Sequence, residues 1–274
     1  MTRALITNDD GIDAPGLSAL AQAARAQGLD VVIAAPVRQS SGSSASIVAA
    51  EEDGRVAVDT VELTGLEGVP AYAVHAGPGL IALIAARGAF GASVDLVLSG
   101  VNHGANVGRA ILHSGTVGAA LTGGLNGARA VAVSLDVGMK PDVFHWETAA
   151  DAAISLLPLL ERRPAGTVIN VNVPNTADPR GIREAHLAPF GIVQMTMAES
   201  DAQYIRLAVE ELPNTPEEGS DAALLAGGWV TVTGVDSVAA CPFPLDELAA
   251  QSGGVTGTSP VPGASPASGG SGSR

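Results

Sequence analysis

Ala4-Leu5-Ile6-Thr7-Asn8-Asp9-Asp10-Gly11 is a short apolar run that stops at two adjacent carboxylates, where a turn rich in Gly and Pro begins. A strand of that kind belongs to an open parallel sheet, whose ligand crevice lies at the carboxyl ends of its strands, so Asp9 and Asp10 would stand in that crevice. Two acids held close together call for a cation, and hard divalent ions such as Mg²⁺ and Mn²⁺ prefer oxygen ligands. The same residues also read as an Asx-rich turn whose acids cap the next helix.

Working outward, residues 16–27 carry Leu17, Leu20, Ala21 and Ala24 at helical spacing, opened by Pro15 and closed by Gly28. Val31-Val32-Ile33-Ala34 follows as a continuous apolar strand. Strand, helix, strand is the opening unit of an α/β fold with a right-handed crossover. The loop from Ala35 to Ser44 is dense in hydroxyls at the same carboxyl edge, suited to ligating a cation or to serving as a flexible connector. Val56-Ala57-Val58 and Val61-Glu62-Leu63 read as a hairpin excursion from the main sheet.

Residues 79–87 read as a helix and 95–98 as a buried strand. A glycine-permitted turn follows, Ser99-Gly100-Val101-Asn102-His103-Gly104-Ala105-Asn106-Val107-Gly108. Next, His113-Ser114-Gly115-Thr116-Val117-Gly118-Ala119-Ala120 opens a helix of small residues whose N-terminal amides and hydroxyls suit an anion. No Lys follows the glycines, so it is not a P-loop. Ser114 and Thr116 also read as plain N-capping residues.

Strands at 130–134 and 167–174 and a helix at 146–160 complete a core of about residues 1–180. A smaller strand-rich lobe is expected over about 181–251, with strands near 204–207 and 229–232 and a helix at 221–226. Residues 252–274 are almost entirely Gly, Ser, Pro, Thr, Val and Ala, the composition of a disordered tail. Residues 1–251 thus read as a single domain, a Rossmann-like, mostly parallel sheet flanked by helices with an appended lobe. Hydrophobic residues make up 46% of the chain and aromatic ones 3%, so helices must pack closely on the sheet through small side chains. A net charge of −14 argues against a nucleic-acid polymer or an anionic membrane as partner. The single Cys241 rules out an intramolecular disulfide and a multi-cysteine metal site. Without a leader-like or membrane-length apolar run, the chain reads as cytoplasmic.

Four blocks, in order, resemble the SurE survival-protein nucleotidases, metal-dependent phosphatases of nucleoside monophosphates. They are Asn8-Asp9-Asp10-Gly11 with Ala14-Pro15-Gly16; Ala35-Pro36 with Gln39-Ser40-Ser41-Gly42; Ser99-Gly100-Val101-Asn102 with Gly104 and Asn106; and the run from His113 to Ala120. The resemblance covers residues 4–234 and extends to Asn170-Val171-Asn172-Val173-Pro174. It implies one divalent ion, Mg²⁺ or Mn²⁺, held by Asp9, Asp10, Ser41 and Asn102. Asn106, Ser114, Gly115 and Thr116 then surround the phosphate, with Asp9, Asp10, Asn106 and Ser114 as the catalytic set. It further implies a homodimer or homotetramer that hydrolyses nucleoside 5′- and 3′-monophosphates, with short polyphosphate as a secondary substrate.

The chain departs from the family pattern at Ala76-Gly77-Pro78-Gly79-Leu80-Ile81, where an Asp-Cys pair is usual, at His113 for a common Tyr, and at Asp13 for a frequent His. These positions bear on base preference rather than on the ligand set. In the implied reaction the ion polarises the phosphoryl oxygens and activates water, while Asp9 or Asp10 takes a proton. His103 and His113 are candidate acids for the leaving group or, more simply, wall residues. A haloacid-dehalogenase-type phosphatase would need an acid two positions beyond its nucleophile, where Gly11 follows Asp10. A phosphorelay receiver would need a late active-site Lys, and the only Lys is Lys140. A non-catalytic nucleotide-binding regulator on the same fold is the alternative of a different class.

Overall fold

Apolar residues at consecutive positions suit a strand only when both of its faces are covered. The computed structural model describes residues 1–40, 42–47, 49, 51–138, 141–190, 193–200, 205–211, 216–236 and 238–239, and it shows both faces covered. β1 (Arg3–Thr7) and β2 (Asp30–Pro36) lie parallel, joined by α1 (Pro15–Ala26). Alternate residues of β1 part company. Ala4 and Ile6 pack with Leu17 and Leu20 of α1, whereas Leu5 packs with Ile81, Ala82 and Val117 on the opposite face.

The chain continues through β3 (Glu51–Glu52), β4 (Arg55–Val56), β5 (Val58–Val61), β6 (Ala71–Val74), α2 (Pro78–Ala86) and β7 (Leu96–His103). A 3₁₀ turn (Gly108–His113) leads into α3 (Gly115–Leu125), β8 (Arg129–Asp136), α4 (Trp146–Ser155), α5 (Leu157–Leu160) and β9 (Val168–Pro174). Beyond them come β10 (Ile182–Glu184), β11 (Val193–Ser200), β12 (Ile205–Glu211), α6 (Asp221–Ala226) and β13 (Val230–Gly234). Nine strands form one sheet in the order β10-β13-β9-β8-β7-β1-β2-β6-β5. From β6 across to β9 the strands are parallel, while β5 runs antiparallel to β6, and β13 runs antiparallel to β9 and parallel to the edge strand β10. The chain steps from β1 to β2 and β6 on one side, then returns to β7 on the other. A crevice therefore opens at the carboxyl ends of β1 and β7.

The small-residue composition has the expected consequence at α3. A Cβ at Gly123 would lie 2.6 Å from the Val97 side chain, and one at Gly124 would lie 2.4 Å from that of Val168. Bulkier residues would lift the helix off the sheet.

Four stretches differ from their sequence reading. The expected hairpin excursion is confined to β3 and β4, whereas β5 pairs with β6 and both extend the main sheet. Ala71-Tyr72-Ala73-Val74 is too short and small to announce a buried strand, and its place beside β2 decides the matter. The helix read at 146–160 is two helices, because Pro158 lacks the N–H that would continue the ladder. Ser99 to His103, read as a turn, continues β7 with a register shift between Ser99 and Asn102. The stretch read as an appended lobe divides: β10 and β13 join the main sheet, while β11 and β12 form a separate antiparallel pair. The expected tail at 252–274, Cys241 and the expected metal ligand Ser41 lie outside the described residues. Among the described residues no helix is long and apolar enough to cross a membrane.

Candidate active site

Beyond β1 the turn is locked by Asn8, whose Nδ2 donates to the Gly11 carbonyl at 3.0 Å and whose Oδ1 accepts from the Gly11 N–H at 3.1 Å. Closing the turn on its own side chain sends the two acids to different surroundings. Asp9 is buried against the start of α3, where the Thr116 hydroxyl donates to its Oδ1. Gly115 stands so close that a Cβ there would lie 2.8 Å from Asp9 Oδ2 and 2.7 Å from Ser43 Oγ. Only glycine lets the helix end approach the carboxylate. Asp10 is less buried, and its Oδ2 accepts from the His103 N–H at 3.0 Å while its Oδ1 accepts from Gln39 Nε2 at 3.2 Å. β7 thus reaches Asp10 through its last residue.

The register shift in β7 rests on Gly100, whose φ is +139° and whose Cβ, were there one, would lie 2.2 Å from the Val133 carbonyl of β8. Past that point Asn102 comes to the crevice. Its Nδ2 donates to the Gly104 carbonyl at 2.7 Å, which leaves Oδ1 as an acceptor. Asn106 is held more completely. Its N–H donates to Asn172 Oδ1, its Nδ2 donates to Ser134 Oγ, and its carbonyl accepts from the Nδ2 groups of Asn170 and Asn172, each at 2.8 Å. Its Oδ1 and the second proton of its Nδ2 remain for a ligand. Ser114 caps α3 by accepting from the Val117 N–H at 3.1 Å, so the helix-cap reading of this residue holds and its hydroxyl proton is left to donate. Thr116, expected around the phosphate, is fully buried with its hydroxyl on Asp9, so it would act on a ligand through Asp9 rather than directly.

Burial pushes the Asp9 carboxyl up from the ordinary carboxylate range, and the charge of Asp10 adds to this. The Thr116 hydroxyl and the N–H groups of Asp9 and Gly115 partly oppose it. An added positive charge would relieve both raising effects. The surroundings fit a hard cation on further grounds. Ser40 and Ser43 present buried hydroxyl oxygens with no hydrogen-bond partner among the described residues, and the Ser40 N–H is bonded to the Asp9 carbonyl at 2.7 Å. Among the described residues no three His, Cys, Asp or Glu side chains converge. The available donors are two carboxylates, an amide oxygen and hydroxyls, an all-oxygen set suited to Mg²⁺ or Mn²⁺ rather than to softer ions.

Several supports escape a reading of the sequence alone. Asn170 and Asn172 are two residues apart on a buried strand, hence on one face, and polar residues at that spacing were the available signal. Ser134 gave none, and Asp221 only its place in the Ser220–Thr233 segment that resembles the family. Asp221, fully buried, accepts from the Gly108 N–H at 2.8 Å, the Ala188 N–H at 2.9 Å and the Ala222 N–H at 2.8 Å, tying the 3₁₀ turn before α3 to α6. Asp136, half-buried at the carboxyl end of β8, has its carboxyl pushed up by burial, against which the Gly138 N–H works. His113 is exposed at the end of the 3₁₀ turn.

The family described as Survival protein SurE matches residues 4–196. The 5′-nucleotidase SurE of Xanthomonas campestris pv. campestris (strain B100) is 34% identical over 268 residues, 95% of this chain and 99% of that protein. The 5′-nucleotidase SurE of Actinobacillus pleuropneumoniae serotype 5b (strain L20) is 33% identical over 256 residues, 89% of this chain and 97% of that one. The crystal structure of the SurE protein from Aquifex aeolicus superposes with a TM-score of 0.71 at 26% identity, covering 85% of this chain and 93% of that one.

Proposed function

The chain belongs to the SurE survival-protein family, and from that premise we propose that it is a metal-dependent phosphomonoesterase that hydrolyses nucleoside 5′-monophosphates to nucleoside and phosphate. The observation that carries this reading is the pairing of Asp9 and Asp10 at the end of β1 with the glycine-opened start of α3, at the point where the strand order reverses.

Asp9, Asp10, Asn102 and Ser41 would hold the divalent ion, Mg²⁺ or Mn²⁺. When bound, it neutralises phosphoryl charge and makes water a better nucleophile at neutral pH. The chain's own groups do the rest. Thr116 fixes Asp9, and the His103 N–H and Gln39 fix Asp10, so the two carboxylates meet the substrate already oriented. Asn106, held by four hydrogen bonds to Ser134, Asn170 and Asn172, would offer the remaining proton of its Nδ2 to the phosphate, beside the Ser114 hydroxyl and Gly115. One of the two carboxylates takes the proton of the attacking water. Charge that develops on the phosphoryl oxygens falls beside the N-terminus of α3, whose peptide dipoles favour it.

The reading extends to nucleoside 3′-monophosphates and short polyphosphate, and to a cytoplasmic homodimer or homotetramer, as the family resemblance implies. Phosphate release from 5′- and 3′-nucleotides and tripolyphosphate, with Mg²⁺ or Mn²⁺ and with chelator, tests it. Release from nucleotides that stops on chelation is expected. Binding of nucleotide without release under any of these metals would overturn the proposal.

A further inference from the structure

The chain has four Phe, two Tyr and two Trp, and two of these rings meet beside the acids. Phe144 and Trp146 stack with centroids 5.3 Å apart and planes 8° apart. The His103 ring joins them at 5.4 Å from Phe144 and 6.1 Å from Trp146. The peptide N–H of His103 is the same group that holds Asp10 Oδ2, so this aromatic cluster begins one hydrogen bond from the acid pair.

The cluster is held in place although Phe144 remains 37% exposed and its neighbour Val143 60% exposed. Trp146 is seated against the start of α1, where a Cβ on Gly16 would come 3.2 Å from its ring. Asn175, just past β9, brackets Phe144. Its Oδ1 accepts from the His145 N–H at 2.9 Å, and its Nδ2 donates to the Val143 carbonyl at 2.8 Å. Both peptide groups flanking Phe144 are thereby fixed to the sheet. Fixing a ring that stays 37% exposed costs conformational freedom for only partial burial, so the arrangement suits a planar ligand that covers the rest.

We infer that His103, Phe144 and Trp146 are the surface on which the substrate's nucleobase stacks, with Asn175 as the positioning residue that presents Phe144; this rests on the nucleotidase reading above. Stacking on ring faces is available to every base, so this surface gives affinity with broad base tolerance and favours purines, whose rings are larger. A pocket lined by Pro36, Val37, Arg38, Ser40, Val74 and His75 has no stacked pair of rings among its lining residues.

The test compares AMP with ribose 5-phosphate, which carries the same phosphate and no base. Phe144→Ala should raise KM for AMP about tenfold with kcat within about twofold, and leave both constants for ribose 5-phosphate unchanged. Asn175→Ala should raise KM for AMP in the same direction, and Phe144→Tyr, which keeps the ring, should restore it. Equal losses on the two substrates, or no change with AMP, would overturn the assignment. Calorimetric titration with adenosine, which has no phosphate, gives a readout independent of turnover. Loss of adenosine binding in Phe144→Ala supports the surface even if neither phosphate ester is hydrolysed, which would sink the nucleotidase reading alone. Unchanged adenosine binding, or none in the unsubstituted protein, counts against the surface.

Discussion

Asp9 and Asp10 differ from their neighbours because charge is exposed to unequal burial within one turn. As helix caps they would tolerate an amide, since Asn caps about as well as Asp. As ligands of a divalent ion they would not. Asp9→Asn and Asp10→Asn are each expected to abolish nucleotide hydrolysis at ordinary Mg²⁺ or Mn²⁺ levels. The metal-free proteins should melt at or slightly above the unsubstituted midpoint, because acid–acid repulsion is relieved. Wild-type turnover in either variant, with chelator controls, would refute the role. Asp136 gives a pH dependence of its own. Its carboxyl is raised by burial, so its contribution to stability is present below the ordinary carboxylate range and is lost as pH climbs through the raised value. Asp136→Asn should therefore raise the thermal midpoint of chelated protein near pH ~7, with the gain shrinking towards pH ~4. A gain independent of pH would show that the effect is not ionic. At this scale the sequence was most legible where chemistry is dense. Adjacent acids at a strand end announce themselves, but Ser134 reads as part of an apolar strand, and its service to Asn106 appears only once β8 and β9 lie side by side.

Helices and strands with strong periodicity were readable because burial on both faces of the sheet leaves an unbroken apolar run, and α1, α2, α3 and α6 fall where their patterns and caps put them. β7 was not, since polar residues and glycine at its end look like a turn. The strand persists there because β8 supplies partners to both sides of the shift, Ser99 with Ala132 and Asn102 with Ser134. Gly100→Ala would demand a positive φ from alanine and drive its Cβ onto the Val133 carbonyl. Strain and overlap together predict a loss of about 3 kcal/mol or more by urea denaturation, with activity falling alongside because Asn102 and the His103 N–H lose their places. An alanine variant of wild-type stability would mean that β7 can be straightened without cost.

On the scale of the whole molecule, strand order explains why residues scattered from Asn8 to Asn172 meet: parallel strands deliver their ends to one edge, and the reversal at β1 opens that edge. The late part of the chain takes part as well, which its mixed composition did not disclose. Asp221→Ala would strand the N–H groups of Gly108, Ala188 and Ala222, and each buried donor left unpaired costs roughly 1–3 kcal/mol. A lower thermal midpoint together with a lower kcat is expected; a fall in the midpoint with kcat intact would show that the anchor serves stability only. The same carboxylate sets an order of events during synthesis. A nascent chain that has emerged through β9 already carries every proposed metal ligand, yet the turn leading to the phosphate side still lacks its tether, made 113 residues after Gly108. Unfinished polypeptides on the ribosome would be born without the power to drain the nucleotide pool.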